Sequence, residues 1–97
     1  MNINIQAIHF EISDRLTDFI NKKAARLARR FADISTFDAN LTLIKPETAM
    51  NKEVVLKVTV PNMGEMIAKK RADTFEEAFD TAVEALDHQF EKLKNRK

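Results

Sequence analysis

A stretch of nine residues with closely spaced cations is the strongest chemical signal in this sequence. Residues 22–30 read KKAARLARR and contain five cations and no acid, although the 97-residue chain has a formal net charge of only +1. A helix turns by roughly 100° per residue, so a helical stretch would place all five on one face, within about 120° of arc. These cations are Lys22, Lys23, Arg26, Arg29 and Arg30. Because arginine pairs with phosphate through two parallel hydrogen bonds, the pattern favours nucleic-acid binding.

Cations elsewhere in the chain are predicted to surround this patch and to support phosphate binding. They lie before the second helical segment and at the end of the chain: Lys69, Lys70, Arg71, Lys92, Lys94, Arg96 and Lys97. The second helical segment instead carries an acidic face, formed by Glu76, Glu77, Asp80, Glu84, Asp87 and Glu91. The small net charge is therefore interpreted as a cancellation between a basic and an acidic face. The alternative is that both are ordinary solvated faces, with the terminal cations favouring a helix dipole.

Catalytic and metal-binding chemistry has little support in the residue types present. The chain has two histidines, His9 and His88, no cysteine and a single glycine, Gly64, which leaves no nucleophilic triad and no glycine-rich phosphate loop. Glu84, His88 and Glu91 share one helix face, but metal sites usually take ligands from more than one element. We therefore expect no enzyme activity, no cofactor, no metal and no small-molecule substrate.

The compartment is predicted from the same composition. The absence of cysteine fits a reducing environment, and no apolar run approaches the roughly 18 residues that a membrane span needs. The N-terminal residues also lack the pattern of a signal peptide. A cytoplasmic protein without a membrane partner is expected.

Four alternating segments predict β-strands. The first covers residues 2–8, and the next three are centred on residues 37–43, 54–60 and 66–68. The loop KPETAMN separates the second and third strands, and PNMG suits a hairpin between the third and fourth. The last three strands are therefore expected to form an antiparallel meander.

Two amphipathic helices are predicted around these strands. The first is expected from Asp14 to about Ala32, with Ser13 as its N-cap and an apolar sector of Leu16, Ile20, Ala24, Leu27 and Phe31. Phe19 falls outside this sector, beside the cations. The second helix begins after Asp73 or Thr74, and its apolar stripe comprises Phe75, Ala78, Phe79, Ala82, Val83, Leu86, Phe90 and Leu93.

The order of elements predicts an α+β fold, a β-α-β-β-β-α two-layer sandwich with a four-stranded mixed sheet and both helices on one face. The first helix is a crossover, so the first two strands should be parallel. The length and the absence of linker-like segments predict a single domain over residues 1–97.

Three short motifs in this order resemble the ribosome hibernation-promoting factors, also called ribosome-associated inhibitors or sigma-modulation proteins, in their short form. The motifs are FEIS (10–13), VPNMG (60–64) and LDHQFEKLK (86–94). The resemblance implies a translation inhibitor that binds small-subunit rRNA in the decoding channel and blocks mRNA and tRNA during stress or stationary phase. It implies a monomer off the ribosome.

The resemblance also carries over to individual positions. Lys23, Arg26 and Arg29 match the cations of the family's first helix, and Lys92 matches one near the end of its second helix. Lys22 and Arg30 extend the patch. The family often has tyrosine, lysine and arginine at three positions that are Glu76, Ala85 and His88 in this chain. This difference predicts weaker or differently oriented rRNA binding by the second helix.

Two other binding modules remain as alternatives. KKRAD (69–73) resembles the KK-x-A element of double-stranded RNA-binding domains, although the strand at residues 2–8 has no place in that fold. The other alternative is a protein interaction domain without an RNA partner, in which the acidic helix of one copy meets the basic helix of another.

Overall fold

The described part of the chain forms six helices and strands, in the predicted order. The computed structural model describes residues 2–30, 34–45, 49–61 and 64–94, with only the backbone at 93 and 94. The elements are β1 (Asn2–Ile8), α1 (Asp14–Arg30), β2 (Thr36–Leu43), β3 (Lys52–Val60), β4 (Gly64–Ala72) and α2 (Phe75–Lys94). The predicted extension of α1 through Phe31 to Ala32, and the middle of the PNMG hairpin, lie outside the described residues.

The strands form one mixed sheet in the order β1-β2-β3-β4. β1 pairs with β2 in parallel, with Ile3 opposite Phe37, which confirms the predicted crossover between them. The β2–β3 and β3–β4 pairs are antiparallel, and Leu56 lies opposite Ala68 in the second pair. β1 and β4 are therefore the two edges of the sheet.

The hydrophobic core lies between one face of the sheet and the two helices. Alternate residues of β2 and β3, including Phe37, Leu41 and Leu56, are fully buried, as are Ile20 of α1 and Phe79 of α2. The Phe79 ring lies 6.2 Å from the Phe37 ring, measured between centroids, so α2 packs directly on the sheet. The described residues of both apolar stripes thus pack on the same side of the sheet, as predicted, while the side chain of Leu93 lies outside the described residues.

Side-chain caps define where both helices begin. The Ser13 hydroxyl oxygen accepts the Leu16 N–H at 3.1 Å, and the Thr74 hydroxyl oxygen accepts the Glu77 N–H at 3.1 Å. Of the two candidate caps for α2, Thr74 fills the position. Asp73 instead accepts the backbone N–H of Met50 at 2.8 Å, and so ties the β2–β3 connection to the start of α2.

Replacing Thr74 by alanine is expected to lower the free energy of unfolding by about 1 kcal/mol, because one N–H of the first turn loses its acceptor. Urea unfolding followed by circular dichroism measures this change. Thr81→Ala is the matched control, since its exposed hydroxyl donates to the Glu77 carbonyl within the helix. Equal losses in the two variants would contradict the capping role of Thr74.

The face of the sheet opposite the helices is polar, and its side chains form hydrogen bonds and ion pairs with one another. The Asn4 amide donates to Asp38 at 2.8 Å, and the Lys57 ammonium pairs with Glu65 at 2.7 Å. The hydrogen bond to Glu65, with its negative charge, raises the pKa of Lys57 above its ordinary value. Among the described residues, neither helix combines the length and apolar character that crossing a membrane would need.

Candidate nucleic-acid interface

The outer surface of α1 carries the basic patch because the opposite side of the helix is anchored in the core. Ile20, Ala24 and Leu27 are buried against the sheet, which turns Lys22, Arg26 and Arg29 toward solvent. These three cations occupy positions i, i+4 and i+7, so they follow one stripe about 10 Å long. No acidic side chain in the described part of the chain forms an ion pair with any of them. We call this set the free basic stripe.

Lys23 and Arg30 lie on the edge of α1 that faces α2. The Lys23 ammonium is 3.3 Å from a carboxylate oxygen of Asp80. Arg30 donates to Asp87 at 3.0 Å and lies 3.8 Å from Glu91. On the helical wheel these two cations fall at about 80° to 100° from Lys22, next to the apolar stripe, which explains why they reach the neighbouring helix. The five-residue patch therefore consists of three free cations and two that already have acidic partners.

The basic and acidic faces meet at an open groove between the helices. From α1 the groove is lined by Lys23, Arg26, Leu27, Arg29 and Arg30, and from α2 by Asp80, Val83, Glu84 and Asp87. The sequence predicted two faces whose charges cancel, and the structure brings their edges into contact. Phosphates bound on the α2 side of α1 would consequently approach carboxylates.

Phe19, which the wheel placed beside the cations, has a structural role. Its half-buried ring meets the Phe79 ring edge-on, with centroids 5.9 Å apart. The Lys23 ammonium lies 5.5 Å from the centroid of the Phe19 ring, a distance at which a cation is attracted to the face of an aromatic ring. Phe19 thus supports both the α1–α2 packing and the position of Lys23.

The cations of β4 do not all adjoin the patch on α1, in contrast to the prediction. Side chains alternate along a strand, and Met66, Ala68 and Ala72 are buried under the helices. Lys69 and Arg71 therefore lie on the opposite, polar face of the sheet. There they pair with the same carboxylate oxygen of Glu53, at 3.7 and 2.9 Å.

The remaining predicted cations occupy separate positions. Lys70 alternates onto the helix-covered side of β4 but is exposed, and Lys92 is exposed near the end of α2, beside Glu91. The side chain of Lys94 and the whole of Arg96 and Lys97 lie outside the described residues. Within the part of the chain that the structure describes, no three histidine or acidic side chains are grouped so that they could hold a metal ion.

Asp80, Asp87 and Glu91 belong to the predicted acidic face, but their ion pairs with cations of α1 are not predicted from the sequence. The helical wheel contains a signal for these pairs. Cations that lie next to the apolar stripe of one helix can reach acidic side chains at the facing edge of the neighbouring helix. Asp87 is the most enclosed of the three. Its second carboxylate oxygen is shielded from solvent and accepts no hydrogen bond from the described residues.

Removing Arg30 is expected to destabilise the fold, because it would leave the partly enclosed Asp87 carboxylate without this cation. We expect Arg30→Gln to lower the free energy of unfolding by about 1 kcal/mol, the modest value of a pair whose arginine is largely exposed. Arg29→Gln is the matched control, since Arg29 is the exposed neighbour with no acidic partner among the described residues, and it should change stability by less than about 0.5 kcal/mol. Urea unfolding of both variants makes the comparison, and indistinguishable midpoints would contradict a structural role for Arg30.

Comparisons with known proteins complete the description of this site. A family model described as sigma 54 modulation protein / S30EA ribosomal protein matches residues 3–97. Two curated relatives from Pseudomonas putida, both named ribosome hibernation promoting factor, are each 27% identical to the chain over 96 residues, which is 99% of this chain and 89% of the relative.

Two solved structures have a similar fold. A ribosomal subunit interface protein from Coxiella burnetii superposes with a TM-score of 0.87 at 23% identity, over 99% of this chain and 100% of that one. The N-terminal domain of Protein Y from Thermus thermophilus gives a TM-score of 0.78 at 26% identity, over 96% and 99% of the two chains. The β-α-β-β-β-α arrangement is therefore one that these proteins share.

Proposed function

The chain belongs to the sigma 54 modulation protein / S30EA ribosomal protein family, and from this membership we propose that it is a ribosome-associated translation inhibitor that binds rRNA of the small subunit. The observation that carries the proposal is the free basic stripe of Lys22, Arg26 and Arg29, which faces solvent without acidic partners in the described structure. The printed names of the relatives, ribosome hibernation promoting factor and ribosomal subunit interface protein, point to the same partner.

The stripe is suited to phosphates for two physical reasons. Arginine offers a planar fork of N–H donors that matches two phosphate oxygens, and the stripe contains two arginines and one lysine about one helical turn apart. Ala25 lies exposed beside them, so the stripe is flanked by a small residue that lets an RNA backbone approach closely. Neutralised phosphates release their counterions, which supplies most of the binding free energy of such contacts.

The mechanism that we propose is occupation of the decoding channel. With the stripe on rRNA phosphates, the body of the domain would fill the space that mRNA and tRNA require. No covalent step is involved, so inhibition should follow the fraction of subunits that carry the protein and should be reversible.

Other predicted cations take different parts in this proposal. Lys23 and Arg30 hold α1 against α2 and thereby orient the stripe, while Lys92 and Lys70 are exposed cations that can add weaker contacts. Lys69 and Arg71 belong to the other face of the sheet and pair with Glu53, so we place them outside the surface that binds rRNA.

The two alternative modules have less support. β1 is paired along its whole length within the sheet, a strand that the double-stranded RNA-binding fold lacks. Association of copies through acidic and basic helices is disfavoured because Asp80, Asp87 and Glu91 already pair with cations of their own chain.

Saturating mRNA together with initiator tRNA is expected to displace the protein from purified small subunits, because all three would occupy the same channel. Sedimentation of subunits with labelled protein, at one protein per subunit, measures the displacement. Labelled protein sedimented with large subunits alone, with and without mRNA and tRNA, gives the background of the measurement. Stable coexistence of the protein with bound tRNA would refute the occupancy mechanism.

A further inference from the structure

The acidic residues beside the free basic stripe carry a charge of the same sign as the RNA phosphates that the stripe binds. Asp87 and Glu91 both contact Arg30, and Glu84 lines the same groove together with Arg26 and Arg29. Glu84 and Glu91 are exposed, so their charges act on any polyanion that approaches the groove. A protein that only needed affinity for RNA would gain from cations or neutral residues at these positions.

We propose that Asp87 and Glu91 are specificity-determining residues, which hold Arg30 away from RNA and repel phosphates that approach α1 from the α2 side. The proposal rests on the proposed function and assigns the selectivity of the same surface. It commits to one discrimination: small-subunit rRNA is accepted and an ordinary RNA duplex is rejected.

The geometry of packed helices explains why these acids would act against a duplex. Neighbouring helix axes lie about 8–10 Å apart, so a duplex resting on the α1 stripe extends over α2. Its phosphates on both strands then come within the Debye length, about 8 Å at physiological ionic strength, of the carboxylates. An RNA surface whose phosphates follow only the Lys22–Arg26–Arg29 line avoids this repulsion.

Specificity achieved in this way is a difference between two affinities rather than a gain in either. Contacts of the free stripe raise the affinity for both RNA surfaces, whereas the acids lower the affinity for the duplex alone. The Arg30 pairs contribute to the same result, because an arginine that binds Asp87 is not available to a phosphate unless the pair is broken.

The test compares the affinities of one set of variants for two RNA targets. The probes are purified small ribosomal subunits and a mixed-sequence RNA duplex of about 20 base pairs, somewhat longer than the footprint of a typical duplex-binding domain. For Asp87→Asn with Glu91→Gln, we expect duplex affinity to rise about three- to tenfold and subunit affinity to rise by no more than about twofold. The ratio of the two affinities should therefore fall at least about threefold.

Two further variants keep this test decisive. Glu84→Gln with Glu91→Gln changes two exposed side chains, so it should lower the ratio without disturbing the half-buried Asp87. Glu11→Gln with Glu77→Gln makes the same change in net charge at two exposed positions, just before α1 and in the first turn of α2, far along both helices from Arg30, and should leave the ratio unchanged.

The outcomes separate this inference from the proposed function. If the Glu11 and Glu77 variant lowers the ratio as much as the groove variants, or if subunit and duplex affinities rise by equal factors, the specificity role is overturned and the proposed function stands. If the wild-type chain does not bind small subunits, the proposed function fails and this inference fails with it.

Discussion

Raising the salt concentration from about 50 to about 200 mM is expected to weaken binding of the chain to small ribosomal subunits about 15- to 60-fold. Each phosphate that a cation neutralises contributes about 0.7 to 0.9 to the slope of log affinity against log salt. Three free cations, Lys22, Arg26 and Arg29, therefore predict a slope of about −2 to −3. The four or five phosphate contacts inferred from the sequence would have given about −3 to −4.

The slope thus reports how many cations neutralise phosphates in the complex. Titrations at constant Mg²⁺ concentration, so that the subunits remain intact, measure it directly. A slope as steep as −4 would mean that cations beyond the free basic stripe also bind phosphates, and repeating the titration with Lys70→Gln and Lys92→Gln shows whether these exposed lysines or the paired Lys23 and Arg30 supply the additional contacts. A slope near zero would contradict phosphate binding altogether, since apolar contacts would then have to dominate.

The fold could be predicted from the sequence because its periodicities are clear at almost every element. Alternation with a period of two marks β1 at residues 2–8, and the stripe of α2 repeats over five turns. These patterns reflect burial on one side of each element, and a two-layer sandwich buries each element on one side only. The parallel pairing of β1 and β2 then followed from the crossover through α1.

The site was predicted less completely, for a different reason. The wheel of α1 correctly indicated one basic face, but it contains no information on what packs beside that face. Whether Arg30 points to solvent or to Asp87, 57 residues later in the sequence, depends on the distance and orientation between the two helices that carry them. A single-helix pattern cannot supply that distance.

The alternation of side chains along β4 explains why Lys69 and Arg71 lie on the polar face of the sheet and not beside the basic patch of α1. The run KKR at residues 69–71 follows the predicted fourth strand, which is centred on residues 66–68, but β4 continues to Ala72. Inside a strand, neighbouring residues point to opposite faces, so the run is split between the helix side and the polar side of the sheet. The sequence signal for the continuation is Ala72, an apolar residue that keeps the period of two set by Met66 and Ala68.

Replacing Arg26 and Arg29 together by glutamine is expected to weaken binding to small subunits by about 1 to 2 kcal/mol, which is about 5- to 30-fold. Both side chains are exposed and have no acidic partner among the described residues, so their loss removes phosphate contacts and leaves the packing intact. The salt slope should also become shallower by about 1 for each residue, because two fewer phosphates are neutralised. Fluorescence titration with labelled protein gives both quantities, and circular dichroism with urea unfolding checks the fold.

A matched variant on the other face of the sheet decides whether the position of the charges or only their number matters. Lys69→Gln with Arg71→Gln also removes two positive charges, but these cations pair with Glu53 on the face of the sheet opposite α1. If binding depends on the free basic stripe, this variant should lose less than about twofold in affinity, since distant exposed charges are screened at physiological salt. Equal losses in the two variants would mean that net charge drives association, and unchanged binding in the Arg26 and Arg29 variant would remove the stripe from the interface.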